Sequence, residues 1–288
     1  MRRVYEDYLL PVWRNGKSRV GLLILLFYLA MALIGPRLVP LDLRSRFSQR
    51  YLPPSLAHPL GTDYFGVDIL AQIVHGSRLV IGLIFLSSFL AVLLGAAMGI
   101  ARGYLPGWPG RFLEMIITVF LVIPTFPALL VVAAFFMDKD LGILGLSALI
   151  ALFLWAPLAR AVSAQVLSTR NREFVEASRI LGMPLSYILF SDIFTVLIPY
   201  LFVHFVLQLK AALEFSVGLM FLGLAKFNPT HWGVMLNYAL YQAGALYTPQ
   251  GYHYVISVVL NIVLLVIGGI LLAQGVEEIF QPRLKEYE

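Results

Sequence analysis

Six apolar runs leave this chain few ways to fold. They lie near Val20–Val39, Leu79–Ala101, Phe112–Phe136, Leu141–Leu167, Ile193–Leu222 and Tyr254–Gly275. A helix rising ~1.5 Å per residue needs about 20 residues to cross ~30 Å of hydrocarbon, and each run meets that length. In lipid every backbone N–H and C=O must find a partner within its own segment, so the runs read as helices and not as open strands. The expected fold is all-α: a polytopic bundle of six transmembrane helices with no separate globular domain. Composition agrees, because 60% of residues are hydrophobic and 13% charged, where soluble domains sit nearer ~25% charged.

The formal net charge is +5. The basic residues form no run on a soluble domain, so nucleic acid is a poor partner for them. The excess of Lys and Arg on the cytoplasmic side of membrane proteins explains them better. Arg2, Arg3, Arg14, Lys17 and Arg19 precede the first run, and Arg102 and Arg111 follow the second. Arg160, Arg170, Arg172 and Arg179 follow or end the fourth, and Arg283 and Lys285 follow the sixth. With six alternating spans these fall on one side, which places both termini in the cytoplasm of a multi-pass cell-membrane protein. Arg37, Arg44, Arg46 and Arg50 run against the rule, but they sit in a long loop, where the rule is weak. The absence of cysteine excludes disulfides and thiolate metal sites. The first run is too long for a cleavable leader and no small-residue cleavage site follows it.

Residues 1–19 read as an amphipathic surface helix. Val4, Tyr5, Tyr8, Leu9, Val12 and Trp13 recur at helical spacing opposite charged residues. Residues 20–40 form the first span and 41–76 a long extracytoplasmic loop with enough aromatic residues (Phe47, Tyr51, Tyr64, Phe65) to pack as an ordered cap. Residues 77–280 form the core, with a polar projection at 171–190, and 281–288 form a cytoplasmic tail. Pro124 and Pro127 must kink the third span, because each removes a backbone donor. Gly95, Ala96, Ala97 and Gly99 allow close helix approach where lipid supplies no hydrophobic drive. The loop between spans five and six, with Phe227 to Gly233, reads as a re-entrant or surface-lying piece.

Catalytic motifs are absent. Gly16-Lys17-Ser18 matches the end of a phosphate-binding loop, but Pro11 occupies the required first glycine. No Gly-x-Ser-x-Gly elbow occurs. His58, Asp63, Asp68 and His75 share one loop without a metal-ligand spacing, and Asp63 is better placed to cap a turn. The chain is therefore expected to bind no cofactor.

The polar projection runs from Asn171 to Pro184. Phe174, Ala177, Ser178 and Leu181 fall on one apolar helical face, while Arg172, Glu173, Glu176 and Arg179 project elsewhere. Asn171 is placed to cap the helix start. Gly182 suits the left-handed position that ends it, and Pro184 prevents continuation. Such a helix either docks in a partner's groove or lies on lipid headgroups, and spacing alone leaves both open.

Glu176-Ala177-Ser178, three residues and then Gly182 resemble the E-A-A-x-x-x-G signature of permease subunits of ABC importers. His58-Pro-Leu-Gly-Thr-Asp63, with Gly66, Asp68 and Gly76-Ser77-Arg78, resembles the N-terminal pattern of the dipeptide/oligopeptide-type permeases. Phe221-Leu-Gly-Leu224, Trp232-Gly233 and Pro282-Arg283-Leu284 resemble their C-terminal pattern. The likeness runs from Trp13 to Leu284. It implies a permease working by alternating access, in which Phe174, Glu176, Ala177, Ser178, Leu181 and Gly182 form the coupling helix that enters the ATPase. The implied partners are a second, similar permease, two cytoplasmic ATPases that use ATP and Mg, and an extracytoplasmic substrate-binding protein. This sequence departs from the pattern at Ser178 (for alanine), Thr195 (for proline) and Asp192 (for a basic residue); Pro199 is an alternative break before the fifth span.

Lys210 and Glu214 lie within the fifth span four residues apart and share a face. Charges in a membrane face the bundle interior, paired or hydrated. With His204 and Gln208 they either line a polar substrate path or form a structural pair. Di- or oligopeptides are the expected cargo, with nickel or oligosaccharides as alternatives within the family. An integral membrane enzyme or a stand-alone channel is the alternative of another class.

Overall fold

A computed structural model of the chain describes residues 13–137, 139–224 and 228–280. The remainder of the expected surface helix at 1–19, the tail at 281–288 and part of the Phe227–Gly233 segment lie outside them. Most of the described residues are helical, and one isolated β-bridge joins Thr62 and Asp68. Helix α1 spans Gly16–Leu38, α2 Ile69–Tyr104, α3 Gly107–Val122, α4 Thr125–Ala134 and α5 Gly142–Thr169. Helix α6 spans Glu173–Ile180, α7 Leu185–Phe221, α8 Trp232–Asn237 and α9 Tyr252–Phe280. Among the described residues five helices are long and apolar enough to cross a membrane, and the α3–α4 pair makes a sixth crossing if its two pieces form one span.

That third run is not one straight helix. The axes of α3 and α4 meet at 87°. The break itself is local, though its angle is not: the residue before a proline is driven out of the helical region, and Ile123 is extended with ψ 126 ahead of Pro124. Phe126 of α4 then packs on Phe215 of α7 at 5.4 Å and against Gly218.

Small residues set two tight seams. On α2, Gly95, Gly99 and Gly103 recur every fourth residue and meet the carbonyls of Trp155, Ala159 and Ser163 on α5; a Cβ at Gly99 would stand 2.6 Å from Ala159 O. Gly95 and Gly99 act as their sequence suggested, and Gly103 extends the row. On the α1–α9 seam, Gly21 meets the backbone of Leu272, Gly268 meets Ile24 and Gly275 meets Ser18. Tyr28 is buried there and donates to Asn261 O at 2.6 Å.

The cap at 41–68 is ordered and stitched to the C-terminal part of the chain. Asp63 accepts from Phe65 N (2.8 Å), Val67 N (2.9 Å) and Gln72 Nε2 (2.9 Å). Asp68 caps α2 by accepting from Ala71 N and pairs with His58 at 2.7 Å. His75 bonds Val39 O. Of the four residues considered as metal ligands, His58 and Asp68 thus engage each other, while Asp63 and His75 are each held by other partners. Tyr51, held at φ 52, donates to Ala243 O, and His253 bonds Thr62 O. Helix α8 is buried beneath: Trp232 is fully enclosed and donates Nε1–H to Ile73 O at 3.1 Å. His231 accepts from Gly233 N through Nδ1, so Nε2 carries the proton that faces Ser216 Oγ at 2.9 Å.

Candidate functional site

Helix α6 stands at the end of the bundle opposite the cap. It begins at Arg172, which takes the cap position without a side-chain hydrogen bond. The expected cap, Asn171, lies one residue too early to serve. Glu173 and Glu176 occupy the first turn, where the helix dipole favours carboxylates. Its end is a Schellman motif: Gly182 N donates to Arg179 O and Met183 N to Ser178 O, both at 3.0 Å. Gly182 sits at φ 69, as this closure requires.

The expected apolar face is divided by the structure. Val175, which the sequence reading passed over, is the buried residue and packs with Val162, Val166, Ile188 and Ile193. It roots α6 on the ends of α5 and α7. Phe174 and Leu181 point outward at 42% and 75% exposure, joined by Ile180 at 81%. Ala177 and Ser178 are respectively exposed and half-buried. Glu176 lines a cleft of about 410 Å³ with Arg170, Asn171, Arg179 and Ile180. Arg170 donates to Gly103 O at 3.1 Å and the Arg179 guanidinium lies 5.8 Å from the Tyr104 ring. A short helix with exposed apolar side chains is thereby held to three spans at once. Beyond Gly182 the chain enters α7 through a π-helical turn at Ile188–Ile193, and Pro199 lies within the helix. The entry is therefore made by the π turn and not by a break at Pro199.

The four polar residues of the fifth span separate. Lys210 Nζ and Glu214 Oε1 pair at 3.2 Å with side chains 38% and 51% exposed. Gln208 turns the other way, is buried, and donates to Leu154 O on α5 at 2.8 Å. His204 is half-buried beside the Tyr200 ring at 4.4 Å. A further charged cluster, Arg102, Glu114 and Arg160, joins α2, α3 and α5. Sequence reading counted its arginines only as topological charges.

Residues 91–286 match the family model described as binding-protein-dependent transport system inner membrane component. The chain belongs to that family. It is an ABC importer permease and a multi-pass membrane protein. Its relatives include the dipeptide transport system permease protein of Bacillus subtilis (strain 168), 30% identical over 82% of this chain and 75% of the relative. The glutathione transport system permease protein of Pectobacterium atrosepticum is 30% identical over 92% and 86%. The nickel transport system permease protein of Escherichia coli (strain K12) is 32% identical over 76% and 79%.

Proposed function

We propose that this permease forms half of the translocation path of an importer for di- or oligopeptides, driven by ATP hydrolysis in partner subunits. Helix α6 acts as the coupling helix. Phe174, Ile180 and Leu181 enter a cleft of the ATPase, Glu176 and Arg179 fix the register, and Val175 passes the displacement to α5 and α7. The rooted projection is the observation that carries this reading. Exposed apolar groups on a well-anchored helix suit a protein groove, and a helix tied to three spans moves them together. The remaining partners are a second homologous permease, a second ATPase and an extracytoplasmic binding protein. The basic residues at this end support a cytoplasmic location for α6 and both termini.

Lys210 and Glu214, with His204, line the path, while Gln208 holds α7 to α5. Peptide cargo is supported by the dipeptide and glutathione names of the relatives. The nickel name supports a second reading, the same machinery carrying nickel, and oligosaccharides remain a family alternative. The test is disulfide trapping in the assembled importer, with single thiols at Phe174 and Leu181 and partners in the ATPase cleft. Efficient trapping that changes with nucleotide is expected. Thiols reactive only with lipid-embedded reagents, and never with the ATPase, would sink the proposal.

A further inference from the structure

Three charged side chains from three helices meet at the level of the last turn of α2, and the coupling scheme uses none of them. Glu114 of α3 accepts from Arg102 Nε of α2 at 2.7 Å and pairs with Arg160 Nη2 of α5 at 3.1 Å. Arg160 Nη2 also donates to Thr118 Oγ1, one turn along α3, at 2.8 Å. Arg160 stands about 14 Å from the end of α5 at a rise of ~1.5 Å per residue, well above the junction with α6.

Two guanidiniums share one carboxylate, so the cluster carries excess positive charge. Arg102 and Glu114 have side chains 23% and 30% exposed, whereas that of Arg160 is 48% exposed. The Nε–H and Nη1–H groups of Arg160 have no hydrogen-bond partner among the described residues. A guanidinium satisfied on one edge only cannot turn its other edge to lipid cheaply. The cluster divides two kinds of surface: on the α6 side Ala164, Gln165 and Ser168, the next exposed positions of α5, are small or polar, whereas α3 exposes Met115, Val119 and Val122 on the other. Helix α9 likewise exposes Leu260, Val263 and Ile267. A half-exposed guanidinium, fixed on one side and free on the other, is suited to a carboxylate.

Resting on the importer reading above, we infer that Arg160 is a carboxylate-binding residue on the wall of the inner half of the path. Glu114 and Thr118 hold its guanidinium, and its remaining donors face the passing substrate. The site suits a cargo with a free carboxylate, such as a peptide. It repels a free divalent cation and offers an uncharged oligosaccharide no charge partner.

The chain has no cysteine, so Ala164→Cys places a lone thiol in it, one helical turn from Arg160 on the same face. In the nucleotide-free importer, with its other subunits also lacking cysteine, the thiol is reacted with an anionic and a cationic methanethiosulfonate. Both are expected to react. The anionic-to-cationic rate ratio is expected to fall about three- to tenfold with Arg160→Met, the effect of losing one nearby charge in a partly hydrated site, and to persist with Arg160→Lys. Millimolar dialanine should slow labelling where dialanine amide does not. If Arg160→Met fails to assemble, Arg160→Gln supplies the same comparison. An unreactive thiol, an unchanged ratio or equal protection by the amide overturns the assignment. ATP-driven uptake by the unsubstituted importer is read in parallel. Its absence removes the importer reading, whereas uptake with an unreactive thiol removes this site alone.

Discussion

Gly182 is constrained by its own backbone and not by its surroundings. It sits at φ 69, yet a Cβ there would meet no heavy atom within 4 Å. Asparagine tolerates the left-handed region and β-branched residues do not. Gly182→Asn is therefore expected to couple nearly as well as the parent. Gly182→Val should open the Schellman closure, at a cost of about 1–2 kcal/mol, and lower substrate uptake per ATP hydrolysed while assembly is retained. Uptake and hydrolysis measured on the same vesicles check both. Asp63 gives the residue scale a pH dependence. Burial raises its pKa above the ordinary aspartate value, against the lowering effect of the Val67, Gln72, Phe65 and Gly66 hydrogen bonds. A raised folded-state value means that the native cap binds the proton more tightly than the unfolded chain. This contribution to stability is present below the unfolded value, about pH 3.9, and is lost as pH rises through the folded one. Proteolytic resistance of the cap should fall over that rise. Asp63→Asn, which keeps an acceptor for the Phe65 and Val67 amides without the charge, should flatten the profile; an unchanged slope would assign the dependence elsewhere.

At the level of elements, close approach between helices carries the architecture. A larger side chain at Gly99 would collide with Ala159 O and Val162, whereas Gly82 on the same helix meets only Ile143 Cδ1 at 3.6 Å. Gly99→Leu is expected to cost about 1–3 kcal/mol through forced separation of α2 and α5, seen as a lowered thermal midpoint in detergent. Gly82→Leu should change it little. Equal effects would mean that the seam is not the site of the strain. The helices themselves were legible in the sequence because length and hydropathy are local properties, and so was Gly182, because ending a helix is a local event. The prolines announced a kink in the third run, but not its 87°. That angle depends on where α7 presents Phe215 and Gly218 to Phe126. Val175 was missed for a similar reason: its burial is decided by Ile188 and Ile193 across a turn, and the helical pattern of α6 alone favoured Phe174 and Leu181.

For the whole molecule, a paired charge at Lys210 and Glu214 makes sense only where water or protein covers it. Replacing both by Leu removes the pair without stranding one charge. If the pair lines the path, uptake by the assembled importer should fall at least tenfold while the complex still forms and hydrolyses ATP. Unchanged uptake and unchanged substrate preference would make it a structural pair. Gln208 shows why such assignments need the fold. In sequence it is a polar residue beside Lys210, but α5 supplies a carbonyl at Leu154 and turns it into a helix tether. Arg160 shows the converse, a loop-side charge in sequence that becomes a three-helix junction once Glu114 and Arg102 are brought to it. By itself the sequence determined that this chain crosses a membrane as helices and where one of them ends in a left-handed glycine, because these follow from solvent and from neighbouring bonds. Tertiary structure alone decided which polar groups are spent on holding helices together and which remain free to meet a ligand, because hydrogen-bond partners distant along the chain are brought into reach only by packing.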